Sequence, residues 1–349
     1  MIAYEYEADF LDGLEPFVRA ELAERFGSRV RYAQLARPDA LPFTYDGALA
    51  GLLELRSVVA VSLVLFFPVP RPKALLGHQY LTQLLTAIAA VRELWQPGRF
   101  TTLKMSAAGE ASSVMQRLKS ELEQHTGLRP DQEEGDLLLR LRRDGAGWQV
   151  LIRLSPRPLA ARPWRVCNMP GALNASLAHA LIMLSQPHSS DRVLNMACGS
   201  GTLMIERLAV APARVMIGCD TDPAALECAR ANIAAAENHE IAAGRPVRLE
   251  AWDAIAVPMP DASFDMICAD LPFGQLIGSH RDNQVLYPRI FIEAARLARP
   301  GARFVLITHE VRLLERIAGD FADVFRLQRV LQVRSSGMTP RVYLFERQA

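Results

Sequence analysis

The chain has 349 residues and a formal net charge of +1, and half of its side chains are hydrophobic. That length suggests roughly two or three domains. The longest apolar run, around residues 58–69, is shorter than the about twenty residues that a membrane-spanning helix needs. The first residues also lack the basic start and apolar stretch of a signal peptide. We therefore expect a soluble cytoplasmic protein with no membrane partner.

The cysteines are scattered along the chain, at positions 167, 198, 219, 228 and 268. They do not show the Cys-x-x-Cys spacing of zinc and redox sites. Several of them lie in apolar runs, where a cysteine usually packs as a small hydrophobic side chain. We predict buried cysteines of that kind and no bound metal.

The first 165 residues predict an α+β region without a catalytic cluster. A helix follows Leu11–Phe17, further helices are predicted at 79–94 and 112–124, and a hairpin turns at Asp144-Gly145. Between residues 137 and 168 there is a single acid, Asp144, against arginines at 140, 142, 143, 153, 157, 162 and 165. This surplus predicts either a phosphate-contacting surface or a solvated arginine face on a strand pair.

From about Pro170, strand-like and helix-like patterns alternate. Buried strands are predicted at 192–197, 214–220, 247–252, 264–269 and 303–308, with helices at 203–208, 223–236 and 286–297. Stretches 325–333 and 341–345 predict a closing antiparallel hairpin. Such alternation builds a parallel sheet that binds ligands beyond the carboxyl ends of its strands. The side chains expected at that edge are Asn195, Asp220, Asp253 and Asp270.

A glycine-rich loop, Ala197-Cys198-Gly199-Ser200-Gly201-Thr202, follows the first of these strands and opens a helix. Its glycines let the backbone approach a ligand, and the amide groups of the helix start point into the same space. A dinucleotide-binding loop would have a third glycine where Met204 stands, so a nucleoside without phosphates is favoured over a dehydrogenase cofactor. Asp220 is placed to accept from ribose hydroxyls, and Asp253 from an adenine amine.

Asp270-Leu271-Pro272-Phe273-Gly274, at the end of the fourth strand, carries the predicted chemistry. The lone pair of a conjugated exocyclic amine is spread into its ring, and two acceptors for its N–H groups draw that lone pair towards a methyl donor. The Asp270 carboxylate and the carbonyl of Leu271 or Pro272 supply such acceptors. Phe273 offers a face on which an extruded base stacks. The alternative is a strand-ending turn with a core phenylalanine.

With these motifs in order, the half from Pro170 resembles the class I S-adenosylmethionine-dependent methyltransferases, in the branch with an Asp/Asn-x-Pro-Phe/Tyr motif. Its closer resemblance is to the THUMP-domain tRNA guanine-N2 methyltransferases. The residues that carry it there are 270–274, Ile277-Gly278-Ser279-His280, Asn283-x-x-Leu286-Tyr287-Pro288 and Ile205-Glu206. The front half resembles that family more loosely, through Asp12-Gly13-Leu14-Glu15, Leu154-Ser155, Pro158-Leu159 and Arg162-Pro163-Trp164-Arg165.

The resemblance implies a Rossmann-like α/β methyltransferase domain at 170–349, mostly parallel with a C-terminal antiparallel hairpin. Before it we expect a ferredoxin-like module at 1–70 and a THUMP-like RNA-binding domain at 71–165. The implied reaction moves a methyl group from S-adenosylmethionine to guanosine N2 in tRNA, and we expect a monomer. The implied catalytic residues are Asp270, Pro272 and Phe273. The implied cofactor residues are Asn195, Cys198, Gly199, Ser200, Gly201, Asp220, Thr221, Asp253, Ala254 and Asp270, and the predicted RNA contacts are Arg153, Arg162 and Arg165.

The chain departs from the family pattern at the start of the glycine loop. The family usually has Asp-Pro where this chain has Asn195-Met196, so the charge pairing with the ammonium group of the cofactor is lost. Pro156 and Ala160-Ala161 also replace usual residues of the front half. Three alternatives stay open: methylation of ribosomal RNA guanine, of DNA adenine or of protein glutamine. A fourth is an impaired paralogue that binds RNA without activity.

Overall fold

The structure is a computed structural model, and it describes residues 4–35, 37–242, 244, 246–272, 279–335 and 337–349. The chain divides into two compact units. Unit 1 comprises Met1–Phe10 and Val18–Ala160, and unit 2 comprises Leu11–Phe17 and Ala161–Ala349.

Unit 1 is built on one eight-stranded sheet. Its strands are β1 (Tyr4–Asp9), β2 (Val30–Tyr32), β3 (Ala40–Tyr45), β4 (Ala60–Phe67), β5 (Thr102–Ala107), β6 (Arg129–Pro130), β7 (Leu137–Asp144) and β8 (Gly147–Arg153). They lie in the order β2-β3-β1-β4-β8-β7-β5-β6. Because β4 pairs with β8, strands of the two predicted front modules share this sheet. The boundary between those modules at 70–71 stays a prediction.

The helices of the front region begin and end close to their predicted positions. They are α1 (Glu15–Phe26), α2 (His78–Arg92) and α3 (Ser113–Thr126). The Ser112 hydroxyl accepts a hydrogen bond from Met115 N at the start of α3, and Gly127, with φ of 69°, ends it. A serine N-cap and a left-handed glycine are common helix boundaries. The predicted helices and the hairpin at Asp144-Gly145 are confirmed.

Unit 2 contains a seven-stranded sheet with helices. Its strands are β9 (Arg192–Met196), β10 (Val215–Cys219), β11 (Val247–Glu250), β12 (Phe264–Asp270), β13 (Ala298–Thr308), β14 (Phe325–Gln332) and β15 (Arg341–Arg347). Its helices are α4 (Ala175–Leu184), α5 (Thr202–Val210), α6 (Pro223–Asn238), α7 (His280–Leu297) and α8 (Val311–Asp320). The strand order is β11-β10-β9-β12-β13-β15-β14. The first five are parallel, and β15 lies antiparallel between β13 and β14, which confirms the predicted fold class.

Helix α7 begins earlier than the amphipathic pattern predicted, at His280 rather than Leu286. Ser279 and Asp282 form a reciprocal capping box, which satisfies the first amide groups of the helix. On the other side of α7, the Phe291 ring contacts the rings of Phe304, Phe325 and Phe345 on the sheet. This aromatic core fixes α7 against β13 and β15.

Two of the five cysteines differ from the prediction, because Cys167 and Cys228 form a disulfide across 61 positions of the chain. Nothing in their spacing indicated that the fold brings these residues together. Cys198, Cys219 and Cys268 are buried free thiols, as predicted. Burial raises the pKa of both Cys219 and Cys268 to about 12, so these thiols stay protonated.

No helix within the described ranges is long and apolar enough to cross a membrane. Among the same residues, no group of three or more His, Cys, Asp or Glu side chains is arranged to hold a metal ion. The cytoplasmic location and the monomeric state remain predictions.

Candidate active site

A cavity of about 360 Å³ lies at the carboxyl ends of β9, β10 and β12. Every predicted cofactor residue except Gly201 lines it. The predicted catalytic residues Asp270 and Pro272 also line it, whereas Phe273 lies outside the described residues. The parallel topology accounts for this convergence, since the strands that carry these residues end at the same edge of the sheet.

The glycine-rich loop is shaped by Asp220, the residue that follows β10. One carboxylate oxygen of Asp220 accepts a hydrogen bond from Gly199 N at 2.8 Å, and the other accepts from Asp222 N at 3.0 Å. Gly199 has φ of 53°, and a Cβ added there would point into open space, so the backbone itself faces the cavity. A carboxylate has about four lone-pair positions. Asp220 therefore holds the loop and keeps capacity for ribose hydroxyls.

Met204 occupies the place of the third glycine that a dinucleotide-binding loop would have. Its side chain is fully buried, and a Cβ on Gly218 would lie 2.3 Å from its sulfur atom. Close packing of α5 on β10 is therefore achieved with the glycine on the strand instead of the helix.

Asn195 lies on β9 and lines the cavity. Its side chain is 1% exposed, and Nδ2 donates to the carbonyls of Met196 and Cys268 at 3.3 and 3.2 Å. Its Oδ1 is enclosed and has no hydrogen-bond partner in the part of the chain that the structure describes. A buried acceptor without a partner is rare in proteins. It fits a ligand that brings its own donor, such as an ammonium group.

Asp253 lies beyond the end of β11, because that strand stops at Glu250 and is shorter than predicted. Its side chain is exposed, and Oδ1 accepts from Ile255 N at 3.1 Å. Trp252, Asp253 and the buried Ala254 line the cavity together. The predicted contact of Asp253 with an adenine amine stays a prediction.

Asp270 is the last residue of β12, and its carboxylate reaches the cavity. Oδ1 is enclosed and has no partner among the described residues. Burial raises the pKa of this carboxyl group from its ordinary value to about 7. Close to neutral pH, the group therefore exists in both its protonated and its ionised form. Perturbed groups of this kind concentrate at functional sites.

The two backbone carbonyls after Asp270 are not equivalent. The Pro272 oxygen accepts hydrogen bonds from Asn283 Nδ2 at 2.9 Å and from the Tyr287 hydroxyl at 2.8 Å. A carbonyl oxygen has two lone pairs, so these two donors fill its capacity. Of the two carbonyls that the sequence left open, Leu271 is therefore the one favoured to accept from an amine.

Asn283 and Tyr287 belong to a motif that the family resemblance identified, but no role was predicted for either residue. Their spacing of four positions on α7 places them on the same face of the helix, which was an available signal. The segment Met169–Leu173 also lines the cavity, and no motif pointed to it.

Two of the three predicted RNA contacts, Arg153 and Arg162, are buried and have partners inside the protein. Arg153 is 7% exposed and donates to the backbone carbonyls of Ser155, Gly135 and Pro156. Arg162 is 5% exposed, and its Nε lies 2.9 Å from the carboxylate of the buried Glu206. A buried guanidinium that is used internally cannot meet a phosphate group in solvent.

The third predicted RNA contact, Arg165, is half-buried and belongs to unit 2. It donates to the carbonyl of Leu173 and to the Thr202 hydroxyl, at 2.8 and 3.1 Å. Both of these partners line the cavity. An RNA contact of Arg165 stays a prediction.

Two methyltransferases from other organisms resemble this chain over part of its length. The mouse protein named tRNA (guanine(6)-N(2))-methyltransferase THUMP3 is 30% identical over 187 residues, which are 52% of this chain and 37% of that protein. A Thermus thermophilus protein named tRNA (guanine(6)-N2)-methyltransferase is 29% identical over 213 residues, 60% of each chain. The chain thus spans less than two thirds of the length of these relatives.

A solved structure described as TrmN from Thermus thermophilus also resembles this chain. The TM-score is 0.73 at 24% identity, with coverage of 98% of this chain and 99% of the other. A family model described as UPF0020, RMKL-like, methyltransferase domain matches residues 162–340, slightly more than half of the chain. The resemblance inferred from the motifs is confirmed, and the chain belongs to the family of the UPF0020, RMKL-like methyltransferase domain.

Proposed function

We propose that this chain transfers a methyl group from S-adenosylmethionine to the exocyclic N2 amine of guanosine in tRNA. The observation that carries the proposal is Asp270, which lines the cavity of the glycine-rich loop and whose enclosed Oδ1 has no hydrogen-bond partner among the described residues. The names of the two tRNA guanine methyltransferase relatives support the choice of guanine and of tRNA.

The cavity fits the proposed cofactor. Asn195 Oδ1 would accept from its ammonium group, Asp220 from its ribose hydroxyls and Asp253 from its adenine amine. Gly199 and Ser200 would face it with the backbone of the loop. When bound, S-adenosylmethionine supplies an electrophilic methyl group on a positively charged sulfur atom. Asn195 is neutral where the family usually has an acid, yet it retains the acceptor that an ammonium group needs.

The residues at the end of β12 would act on the amine. Ionised Asp270 accepts one N–H group and the Leu271 carbonyl accepts the other, so the nitrogen lone pair is drawn out of conjugation. Asp270 also takes the proton that the nitrogen loses when it gains a methyl group. The remaining contribution is orientation within a cavity that excludes water, which is a large effect for a transfer between two bound partners.

The test is methylation of a pool of unmodified tRNA transcripts by the full-length chain, followed by nucleoside mass spectrometry. We expect N2-methylguanosine from the wild-type chain and from Asp323→Ala, which removes an exposed acid outside the cavity. We expect Asp270→Ala to form at least about a hundredfold less product in the same time.

Other outcomes would redirect the proposal. Methylated adenosine would move the activity to a different planar amine. Binding of S-adenosylmethionine in isothermal titration without transfer to any RNA would indicate an impaired paralogue. Full activity of Asp270→Ala would remove Asp270 from the mechanism.

A further inference from the structure

Tyr287 and Asn283 lie outside every predicted site, yet both contact the segment that follows Asp270. Both side chains are fully buried. Asn283 Nδ2 and the Tyr287 hydroxyl donate to the same carbonyl oxygen, that of Pro272, at 2.9 and 2.8 Å. Two donors from one face of α7 therefore fix one peptide plane next to the proposed reaction centre.

The hydrogen bonds around Tyr287 run in one direction. The Pro272 carbonyl can only accept, so the single proton of the Tyr287 hydroxyl is committed to it. Thr308 Oγ1 lies 2.7 Å from the same hydroxyl, and Thr308 must therefore donate its proton to Tyr287. Thr308 Oγ1 in turn accepts from Glu310 N at 2.9 Å. The chain of donors thus begins at the N-terminal end of α8 and ends at Pro272.

The environment keeps this direction constant. Thr308 is fully buried at the end of β13, and burial raises the pKa of the Tyr287 hydroxyl above its ordinary range. The phenol is consequently protonated, and able to donate, near neutral pH. The Tyr287 hydroxyl, Thr308 Oγ1 and the Pro272 carbonyl all have partners in this buried network, and hydrogen bonds away from water are strong enough to hold such a segment rigidly.

Leu271, the residue before Pro272, is held by strand β13. Leu271 N donates to the carbonyl of Ile307 on β13 at 3.1 Å, and the Leu271 side chain is 2% exposed in the apolar core. The dipeptide Leu271-Pro272 is thereby bound by β13 and by α7. Asp270, immediately before it, has an enclosed oxygen without a partner in the described part of the chain.

We propose that Tyr287 and Asn283 are positioning residues for methyl transfer. By filling the Pro272 carbonyl, they leave the Leu271 carbonyl as the backbone acceptor and fix its orientation relative to Asp270. Thr308 supports Tyr287 in this role. The inference rests on the proposed function, because positioning has meaning only for a reaction at Asp270.

The experiment compares Tyr287→Phe, Thr308→Val and the control Tyr343→Phe. The Phe variant keeps the buried ring and removes only the hydroxyl. Tyr343 is an equally buried tyrosine on β15, outside the Pro272 network, and its hydroxyl has no hydrogen-bond partner among the described residues, so its variant reports the effect of removing a buried hydroxyl without breaking a hydrogen bond. Two quantities are measured for each protein: the dissociation constant of S-adenosylmethionine by titration, and the single-turnover rate of tRNA methylation per cofactor-binding site.

We expect Tyr287→Phe to bind the cofactor as the wild type does and to react roughly tenfold to hundredfold more slowly, since a small misplacement of reacting groups has effects of that size. Thr308→Val should show a smaller loss of the same kind, because Tyr287 can still donate to Pro272. Tyr343→Phe should react at the wild-type rate. A purely structural role would lower the fraction of protein that binds cofactor without changing the rate per binding site.

The proposal is overturned if both Tyr287→Phe and Thr308→Val react at the wild-type rate per site. It is also overturned if their rates fall only in proportion to weaker cofactor binding. If the wild type methylates adenosine instead of guanosine, the proposed function fails, and the same rate comparison at adenosine decides the role of Tyr287. If the wild type methylates no RNA at all, both proposals fail together.

Discussion

The buried carboxylate and amide side chains of the two sheets differ in how far the protein itself satisfies them. In unit 1, Glu7 is 2% exposed and both of its carboxylate oxygens accept from the Arg142 guanidinium. In unit 2, Asn195 and Asp270 each have an enclosed oxygen without a partner among the described residues. An unsatisfied buried acceptor costs about 1–3 kcal/mol. The sheet of unit 2 therefore carries this cost at its carboxyl edge, where a ligand would relieve it.

The difference separates two kinds of buried polar residue. A charge that has a partner within the protein, such as Glu7 or Arg153, contributes to the fold and is a poor candidate for binding. An acceptor that faces a cavity without a partner is a better candidate. Arg153 and Arg162, which were predicted to contact RNA, are of the first kind in the structure.

The largest expected effect concerns Asp270. We expect Asp270→Ala to lower the single-turnover methylation rate by about 10²–10⁴, the range for loss of a positioned proton acceptor. The free energy of unfolding should not fall, because the variant removes an unpaired buried carboxylate. Urea denaturation measures the second quantity. A loss of stability alongside the loss of rate would contradict the distinction drawn between the sheets.

The second largest expected effect concerns the disulfide between Cys167 and Cys228. Closing a loop of 61 positions stabilises a protein by up to about 4 kcal/mol in the chain-entropy model. We expect Cys167→Ser to lower the free energy of unfolding by an amount of that order under oxidising conditions, measured by urea denaturation. Addition of a dithiol reductant should destabilise the wild type and leave Cys167→Ser unchanged. Equal stability of the two oxidised proteins would contradict the role of this bridge.

The pH dependence of the reaction follows from the raised pKa of Asp270, about 7 against an ordinary 3.8. The ionised form is the acceptor, so activity is present above pH 7 and is lost as the pH falls through 7. We expect kcat/KM for S-adenosylmethionine, at subsaturating tRNA, to fall about tenfold per pH unit below that value. Asp270→Asn should be slower and lack this acid limb.

The raised pKa of Asp270 makes stability fall with rising pH, whereas activity rises. Ionisation of the enclosed carboxylate is unfavourable in the folded state, so the stability contributed by Asp270 is fully present below pH 3.8 and declines as the pH rises towards 7. A stability difference between wild type and Asp270→Asn that stays constant from pH 4 to pH 7 would contradict the assigned pKa.

A substitution at Glu7 tests the expectation for buried charges that have a partner within the protein. We expect Glu7→Gln to lower the free energy of unfolding by about 2 kcal/mol, the size of a hydrogen-bonded charge interaction. The affinity for S-adenosylmethionine should not change, because Glu7 lies in unit 1. Glu5→Gln, an exposed acid on the same strand face, is the matched control and should have little effect. Weaker cofactor binding by Glu7→Gln would contradict the expectation that Glu7 contributes to stability alone.

Asn195 is expected to have the smallest effect. Removal of its acceptor in Asn195→Ala should weaken the binding of S-adenosylmethionine about tenfold, as the loss of one charge-assisted hydrogen bond implies. The affinity of the chain for tRNA should stay the same. Titration with each ligand measures both constants, and unchanged cofactor affinity would leave the unpartnered Oδ1 without a role.

Local patterns predicted much of the fold. The alternation after Pro170 predicted the parallel sheet and the closing hairpin, but not the order of the strands, because strand and helix periods differ and crossovers between parallel strands need helices. Helices α4 and α8 were not predicted. Helix α4 is buried on nearly all sides, so its residues show no amphipathic period. The early start of α7 depends on the Ser279–Asp282 capping box, which lies outside the apolar stripe.

Strand periodicity was enough to predict that Asn195, Asp220, Asp253 and Asp270 meet at the edge of the second sheet, because strand ends in a parallel sheet converge whatever the details of packing. Which polar atoms have partners there depends on the three-dimensional packing. It paired Arg153 and Arg162 internally, joined Cys167 to Cys228 and committed the Pro272 carbonyl to Asn283 and Tyr287. These outcomes depend on distances between residues far apart in the chain, which no local spacing specifies.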